Sequence, residues 1–103
     1  MTKGDDGRTW TFLTNHAHVL LAIAATPDLR LRDIAERVDI TERTATQIIA
    51  DLEASGIVER QKRGRRNHYL VRPHHPLRHR LEEHHDVADL IRAISHQAVD
   101  VDE

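Results

Sequence analysis

The chain has 103 residues and no cysteine, and 15 Lys and Arg against 17 Asp and Glu give it a formal net charge of -2. That length suits one domain with a modest core. The absence of thiols excludes a disulfide framework or a thiolate zinc site and fits a reducing cytoplasm, and the longest apolar run, Val19 to Ala25, is too short for a bilayer and lacks the basic lead of a signal peptide. The near-neutral sum hides a segregation: Arg60 to Leu81 holds eight Arg or Lys and no acid, whereas 82–103 holds one Arg and seven acids. Such a block between acidic stretches predicts an oriented molecule with one cationic face.

In chain order, residues 1–13 read as a mobile arm followed by an apolar lead-in of Trp10, Phe12 and Leu13. Thr14 or Asn15 caps a first helix running to about Ala25, with Val19, Leu20, Ile23 and Ala24 at helical spacing. Thr26, Pro27 and Asp28 end it. Leu29 and Leu31 alternate with arginines as a very short strand, and a second helix from about Arg32 to Val38 buries Ile34, Ala35 and Val38. Asp39 stands at a sharp turn, where Asp tolerates a left-handed backbone better than most residues. Thr41 caps a third helix that reaches Ser55 and stops at Gly56.

On that third helix Ala45, Ile48, Ile49 and Leu52 form one stripe, and Arg43, Gln47, Ala50 and Ala54 point the other way, flanked by Thr44 and Thr46. Next, Ile57 to Lys62 and Asn67 to Arg72 read as two strands of a hairpin around Arg63, Gly64, Arg65 and Arg66. Pro73 and Pro76 break the chain. Leu77 then opens a last helix reaching about His96 or Ala98, whose seam of Leu77, Leu81, Ala88 and Ile91 is widened by Val87, Leu90 and Ile94. A stripe this broad predicts a dimerisation helix; packing onto the chain's own first helix is the alternative.

The expected fold is mainly α with a small β-hairpin: a winged helix-turn-helix over 14–76 with flanking N- and C-terminal helices, 77–103 forming the C-terminal dimerisation helix and tail. Two helices joined by a tight turn and followed by a basic hairpin suit double-stranded DNA, the second helix entering the major groove and the wing following the backbone. The stretch Leu31 to Arg72, with RDIAERVDITERTATQIIADLEASGIVER followed by QKRGRRNHYLV, resembles the winged helix regulators of the MarR and ArsR type. The resemblance implies a homodimeric transcriptional regulator on a roughly palindromic operator. It puts Thr41, Arg43, Thr44, Thr46 and Gln47 on the recognition helix, Arg43 pairing with guanine and Gln47 with adenine. Lys62, Arg63, Arg65 and Arg66 of the wing meet phosphates or the minor groove, with Arg60 and Asn67 at its margin. The dimer interface expected is Trp10, Phe12, Leu77, Leu81, Ala88, Ile91 and Ile94.

MarR proteins are usually longer, with a helical dimerisation region whose cleft holds a small ligand. Here an inducer pocket would be lined by Trp10, Phe12 and the first and last helices, for which plain packing is the competing account. The nine histidines open a different reading, in which Glu83, His85 and His96 resemble part of the terminal-helix metal site of ArsR-type sensors. Within one helix His85 and His96 stand about 16 Å apart, so only a partner helix could join them, and Val99 occupies the place of that pattern's final ligand. No cofactor is expected and no effector is identified. An enzyme finds no support: there is no Cys nucleophile or glycine-rich phosphate loop, and Ser55 and Ser95 lack a motif. A winged helix used for protein contact would normally lose its basic tip, which this chain keeps.

Overall fold

The computed structural model describes residues 10–95. Its elements run α1 (Asn15–Ala25), α2 (Leu31–Val38), α3 (Glu42–Ala54), β1 (Val58–Arg63), β2 (Arg66–Val71) and α4 (Val87–Ile94). This is the expected class, three helices and a hairpin in winged helix-turn-helix order with a further helix behind. No helix among the described residues is long and apolar enough to cross a membrane.

α1 and α3 form where an apolar stripe meets a side-chain cap, whereas α2 follows Arg30 with no such cap and rests on its stripe. The Thr14 hydroxyl accepts the N–H of Ala17 and starts α1, which buries Val19, Leu20 and Ile23. The short strand expected at Leu29 and Leu31 does not form. Leu31 belongs instead to the helical series Leu31, Ile34, Ala35 and Val38, and Leu29 is buried in the same core, so the two leucines serve different elements despite their spacing. What remains of a strand here is one bond, the Tyr69 N–H donating to the Pro27 carbonyl at 3.1 Å.

The turn between α2 and α3 is made by Asp39 in the left-handed region, at φ 70 and ψ 48. The N–H groups of Asp39 and Ile40 both donate to the Ala35 carbonyl, at 2.8 and 3.0 Å. Thr41 then caps α3, its hydroxyl accepting the Thr44 N–H at 3.0 Å. At the other end Gly56 takes φ 85, and the N–H groups of Gly56 and Ile57 return to the carbonyls of Glu53 and Leu52, both at 3.0 Å. This paired closure needs a left-handed residue at its corner, which is why the helix stops at glycine.

β1 and β2 pair antiparallel from Val58↔Val71 to Arg63↔Arg66, so the strands reach one residue nearer the tip than the alternation predicts. The turn is Gly64 and Arg65, with Gly64 at φ 65 as two-residue hairpins require at that place. Val58 and Tyr69 point inward and are buried with Ala45, Ile48, Ile49 and Leu52 of α3 and the apolar faces of α1 and α2. Fully buried Val19, Ile23, Ile34 and Val87 each contribute roughly 1.5–3 kcal/mol. No polar or charged side chain among the described residues is buried.

The last helix is shorter than expected and starts ten residues later. Residues 77–86 form turns, closed by a Pro76↔Asp86 bridge and by the Leu77 N–H donating to the His85 carbonyl at 3.0 Å. The helix begins where Asp86 and Asp89 make a reciprocal box, each carboxylate accepting the other's backbone N–H at 3.0 Å. The expected seam is therefore split. Leu77 and Ile91 pack on the chain's own core beside buried Val87, Leu81 stands 75% exposed in the loop, and Ile94 is 52% exposed. The expected reach to His96 or Ala98 lies outside the described residues.

Candidate nucleic-acid interface

α3 turns its apolar stripe inward, and the opposite face carries Arg43, Thr44, Thr46, Gln47 and Ala50, all exposed. Thr41 is occupied as the cap and its hydroxyl also donates to the Thr44 hydroxyl at 3.0 Å, so this pair is held against the helix start. Arg43 and Thr46 make no side-chain hydrogen bond or ion pair among the described residues. Gln47 donates through Nε2 to Asp51 Oδ1 at 3.1 Å, and Oδ2 of the same carboxylate is 2.8 Å from His16 Nε2 on α1. The His16 hydrogen bond, and after it that of Gln47, holds the Asp51 carboxyl below the usual carboxylate range.

The wing's cations fall into two groups. Lys62, Arg63 and Arg65 are exposed at the tip, and their side chains make no hydrogen bond or ion pair among the described residues. Arg60 and Arg66 are engaged by the body of the domain. Arg60 meets both carboxylate oxygens of Glu53 on α3, from Nε and Nη2, each at 3.0 Å. Arg66 donates to the Asp28 carbonyl at 2.6 Å, and His68 Nδ1 is 2.5 Å from the Asp28 carboxylate. Asp28 is held below the usual range first by the His68 hydrogen bond, with the charges of His68, Arg63 and Arg66 adding to it. Asn67 is half-buried in the rung opposite Lys62.

The hairpin is thus fastened along both strands, β1 to α3 through Arg60 and β2 to the turn after α1 through Arg66, His68 and Tyr69. Sequence reasoning missed Asp28, His68, Glu53, Asp51 and His16. Their ion-pair partners are 7 to 40 residues distant in the chain, so no local motif marks those contacts. The Gln47–Asp51 pair, four residues apart on one helix face, was the local signal that could have been read.

A cavity of about 710 Å³ opens between α1, the end of α3 and the loop after Pro76, with His16, Asp51, Ser55 and Arg78 among its lining. The inducer pocket expected at Trp10 and Phe12 differs from it. Those two rings meet edge to face at 5.1 Å and are exposed, 66% and 91%. The alternative metal site of Glu83, His85 and His96, which needed these residues on a terminal helix facing a partner helix, loses its geometry, because Glu83 and His85 lie in the loop before α4 and His85 Nδ1 sits 3.0 Å from Asp89. No group of three His, Asp or Glu gathers for a metal among the described residues, and His96 lies outside them.

A family model described as MarR family matches residues 10–66, which take in α1, α2, α3, β1 and the turn of the wing. The chain belongs to the MarR family. MarR-family proteins are DNA-binding transcriptional regulators, and the winged helix seen here is their fold. Two similar solved structures are the PcaV transcriptional regulator from Streptomyces coelicolor, in complex with its natural ligand and alone. They give TM-scores of 0.52 and 0.51 at 22% identity, over 67% of this chain. The match covers 51% and 53% of those chains, so this MarR-family chain spans about half their length. At that identity the likeness concerns the fold. No curated protein matches the chain.

Proposed function

We propose that this chain binds double-stranded DNA sequence-specifically as a homodimeric transcriptional regulator. The observation that carries the reading is the set of wing-tip cations whose side chains make no hydrogen bond or ion pair among the described residues, Lys62, Arg63 and Arg65, on the hairpin that follows the exposed polar face of α3. A duplex has a negative charge about every 1.7 Å along its axis, and cations with no protein partner are those free to meet it. In this reading Arg43 pairs with guanine and Gln47 with adenine from the major groove. Thr41, Thr44 and Thr46 line the groove wall near the helix start, where the backbone dipole favours phosphate. Lys62, Arg63 and Arg65 follow the backbone or enter the minor groove, Asn67 and Arg66 flank them, and Arg60 acts by bracing the wing through Glu53.

The dimer is proposed at the apolar surface left by Trp10, Phe12, Leu81 and Ile94. Ala88 is assigned to the same interface, while Leu77 and Ile91 pack on the chain's own core. Two copies related by a two-fold axis would set two α3 helices on successive major-groove faces, which matches a palindromic site. The test is a titration of the purified chain against duplex fragments at two salt concentrations. Tight binding that falls steeply with salt supports the reading, and no binding to any duplex at low salt overturns it.

A further inference from the structure

We propose that Asp51, held in place by His16, is the positioning residue that fixes which way the carboxamide of Gln47 faces and so which base edge that side chain reads. The inference rests on the DNA-binding reading above and adds two specificity-determining residues to it, one of them outside the recognition helix.

The two ends of a glutamine amide have nearly the same shape, and a half-turn about the last bond exchanges acceptor for donor. A glutamine free to turn meets a base edge in either order. Gln47 is not free: its Nε2 donates to Asp51 Oδ1 at 3.1 Å. An ionised carboxylate only accepts, so it selects the nitrogen end and turns Oε1 away. One amide N–H and the carbonyl oxygen remain, a donor beside an acceptor in one fixed order, which complements N7 and the N6 amino group of adenine.

Asp51 is itself oriented. Its second oxygen faces Nε2 of His16 at 2.8 Å, and because the carboxylate has no proton to give, that ring nitrogen carries the hydrogen. Without this contact the carboxylate could swing among its rotamers and take the amide with it. The same contact joins α1 to α3, so the orientation of a base-reading group is set by a helix that need not touch DNA. Asp51 also puts a negative charge on a surface meant for a polyanion, which weakens binding to every sequence alike. Removing it should therefore act in opposite directions on affinity and on selectivity, a signature that loss of structural support alone does not produce.

The experiment is a selection from randomised duplex with the full chain and its Gln47→Ala, Asp51→Ala, His16→Ala and His16→Gln variants, followed by titration of the selected and a scrambled duplex. The side chains of His16 and Asp51 are each 48% exposed, so the variants should fold, and thermal melting checks that they do. Gln47→Ala should erase base preference at one position of each half-site. Asp51→Ala should relax preference at that same position by roughly threefold to tenfold, the scale of one oriented hydrogen bond, while binding to scrambled duplex stays equal or tightens. His16→Ala should relax the same position, and His16→Gln, which keeps an N–H donor, should restore part of it. Asp51→Ala made in the Gln47→Ala background should change base preference no further.

An unchanged preference at that position in Asp51→Ala overturns the proposal. So does an equal loss of affinity for all sequences, which would mean a structural role only. If Gln47→Ala alters no position, the inference fails while the DNA-binding reading stands on the parent protein's titration. A parent protein that ignores duplex overturns both.

Discussion

Arg60 on β1 and Glu53 on α3 face each other through two parallel hydrogen bonds of 3.0 Å, so the first strand of the wing is bolted to the last turns of the helix beside it. A planar guanidinium on a carboxylate fixes angle as well as distance. The charge of Arg60 is thereby matched within the protein, in contrast to the open cations at the tip.

Arg60→Ala should therefore leave the salt dependence of DNA binding nearly unchanged while lowering stability by about 0.5–1 kcal/mol, since the pair is partly exposed and solvent screens it. Glu53→Ala should cost a similar amount. Urea unfolding beside a salt series of duplex titrations separates the two effects. A clear drop in salt slope for Arg60→Ala would place that residue on phosphate.

Lys62→Ala and Arg65→Ala should do the reverse. Neither side chain has a partner among the described residues, so stability should shift by less than about 0.5 kcal/mol. Affinity should fall for every duplex, with the salt slope dropping by about 1 for each phosphate contact removed.

Gly56→Ala tests the closure of α3. A Cβ built there would meet the His75 ring at 3.8 Å, ordinary contact, so space is not the obstacle. The obstacle is φ 85, a left-handed backbone that costs a side-chain-bearing residue roughly 1–2 kcal/mol. The variant should lose about that much in denaturant unfolding and keep the parent's base preference.

Acid should unfold the protein through identifiable carboxylates. Asp89 is lowered to about 2, first by the Asp86 N–H, then by His85 and Arg92, and Asp28 and Asp51 are lowered as well. A depressed carboxyl stabilises the fold fully above its unfolded value, near 4, and that stabilisation is lost as the pH falls toward the folded value. Stability should thus decline as pH drops from about 5 to about 2. Asp89→Asn should flatten this slope, which urea unfolding across the range will measure.

Phe12→Asp and Ile94→Asp should yield monomers by sedimentation, because both side chains are largely in solvent in the single chain. Ile91→Asp is a poorer probe. That residue packs on the core of its own chain, so the change would unfold it before separating copies. Dimers that persist in Phe12→Asp and Ile94→Asp together would move the interface elsewhere.

α1, α3 and the wing were legible in the sequence because their local signals agree: Thr14 with Val19 and Ile23, Thr41 with Ile48 and Gly56, Gly64 between alternating strands. α2, which has no side-chain cap, was legible from its stripe alone. The start of α4 was not. Leu77, Leu81, Ala88 and Ile91 keep a helical spacing across a segment that the reciprocal box of Asp86 and Asp89 and the bridge at Pro76 divide into loop and helix. The Asp-x-x-Asp signal was present, and the longer apolar period outweighed it. Leu29 and Leu31 misled for the opposite reason, since a two-residue interval is also what remains when one leucine ends a turn and the next opens a helix. At the candidate interface the residue types could be read directly, but their sorting into engaged and open cations could not. Glu53, Asp28 and His68 reach Arg60 and Arg66 only through the tertiary fold.

Arg63 and Arg66 occupy the last rung of the hairpin, directly opposite one another, and like charges so placed repel. Dissolved ions shield that repulsion and so ease the closing of the tip, yet the same ions compete with Arg63 for phosphate. Ionic strength thus steadies the wing as a piece of structure while loosening it as a grip.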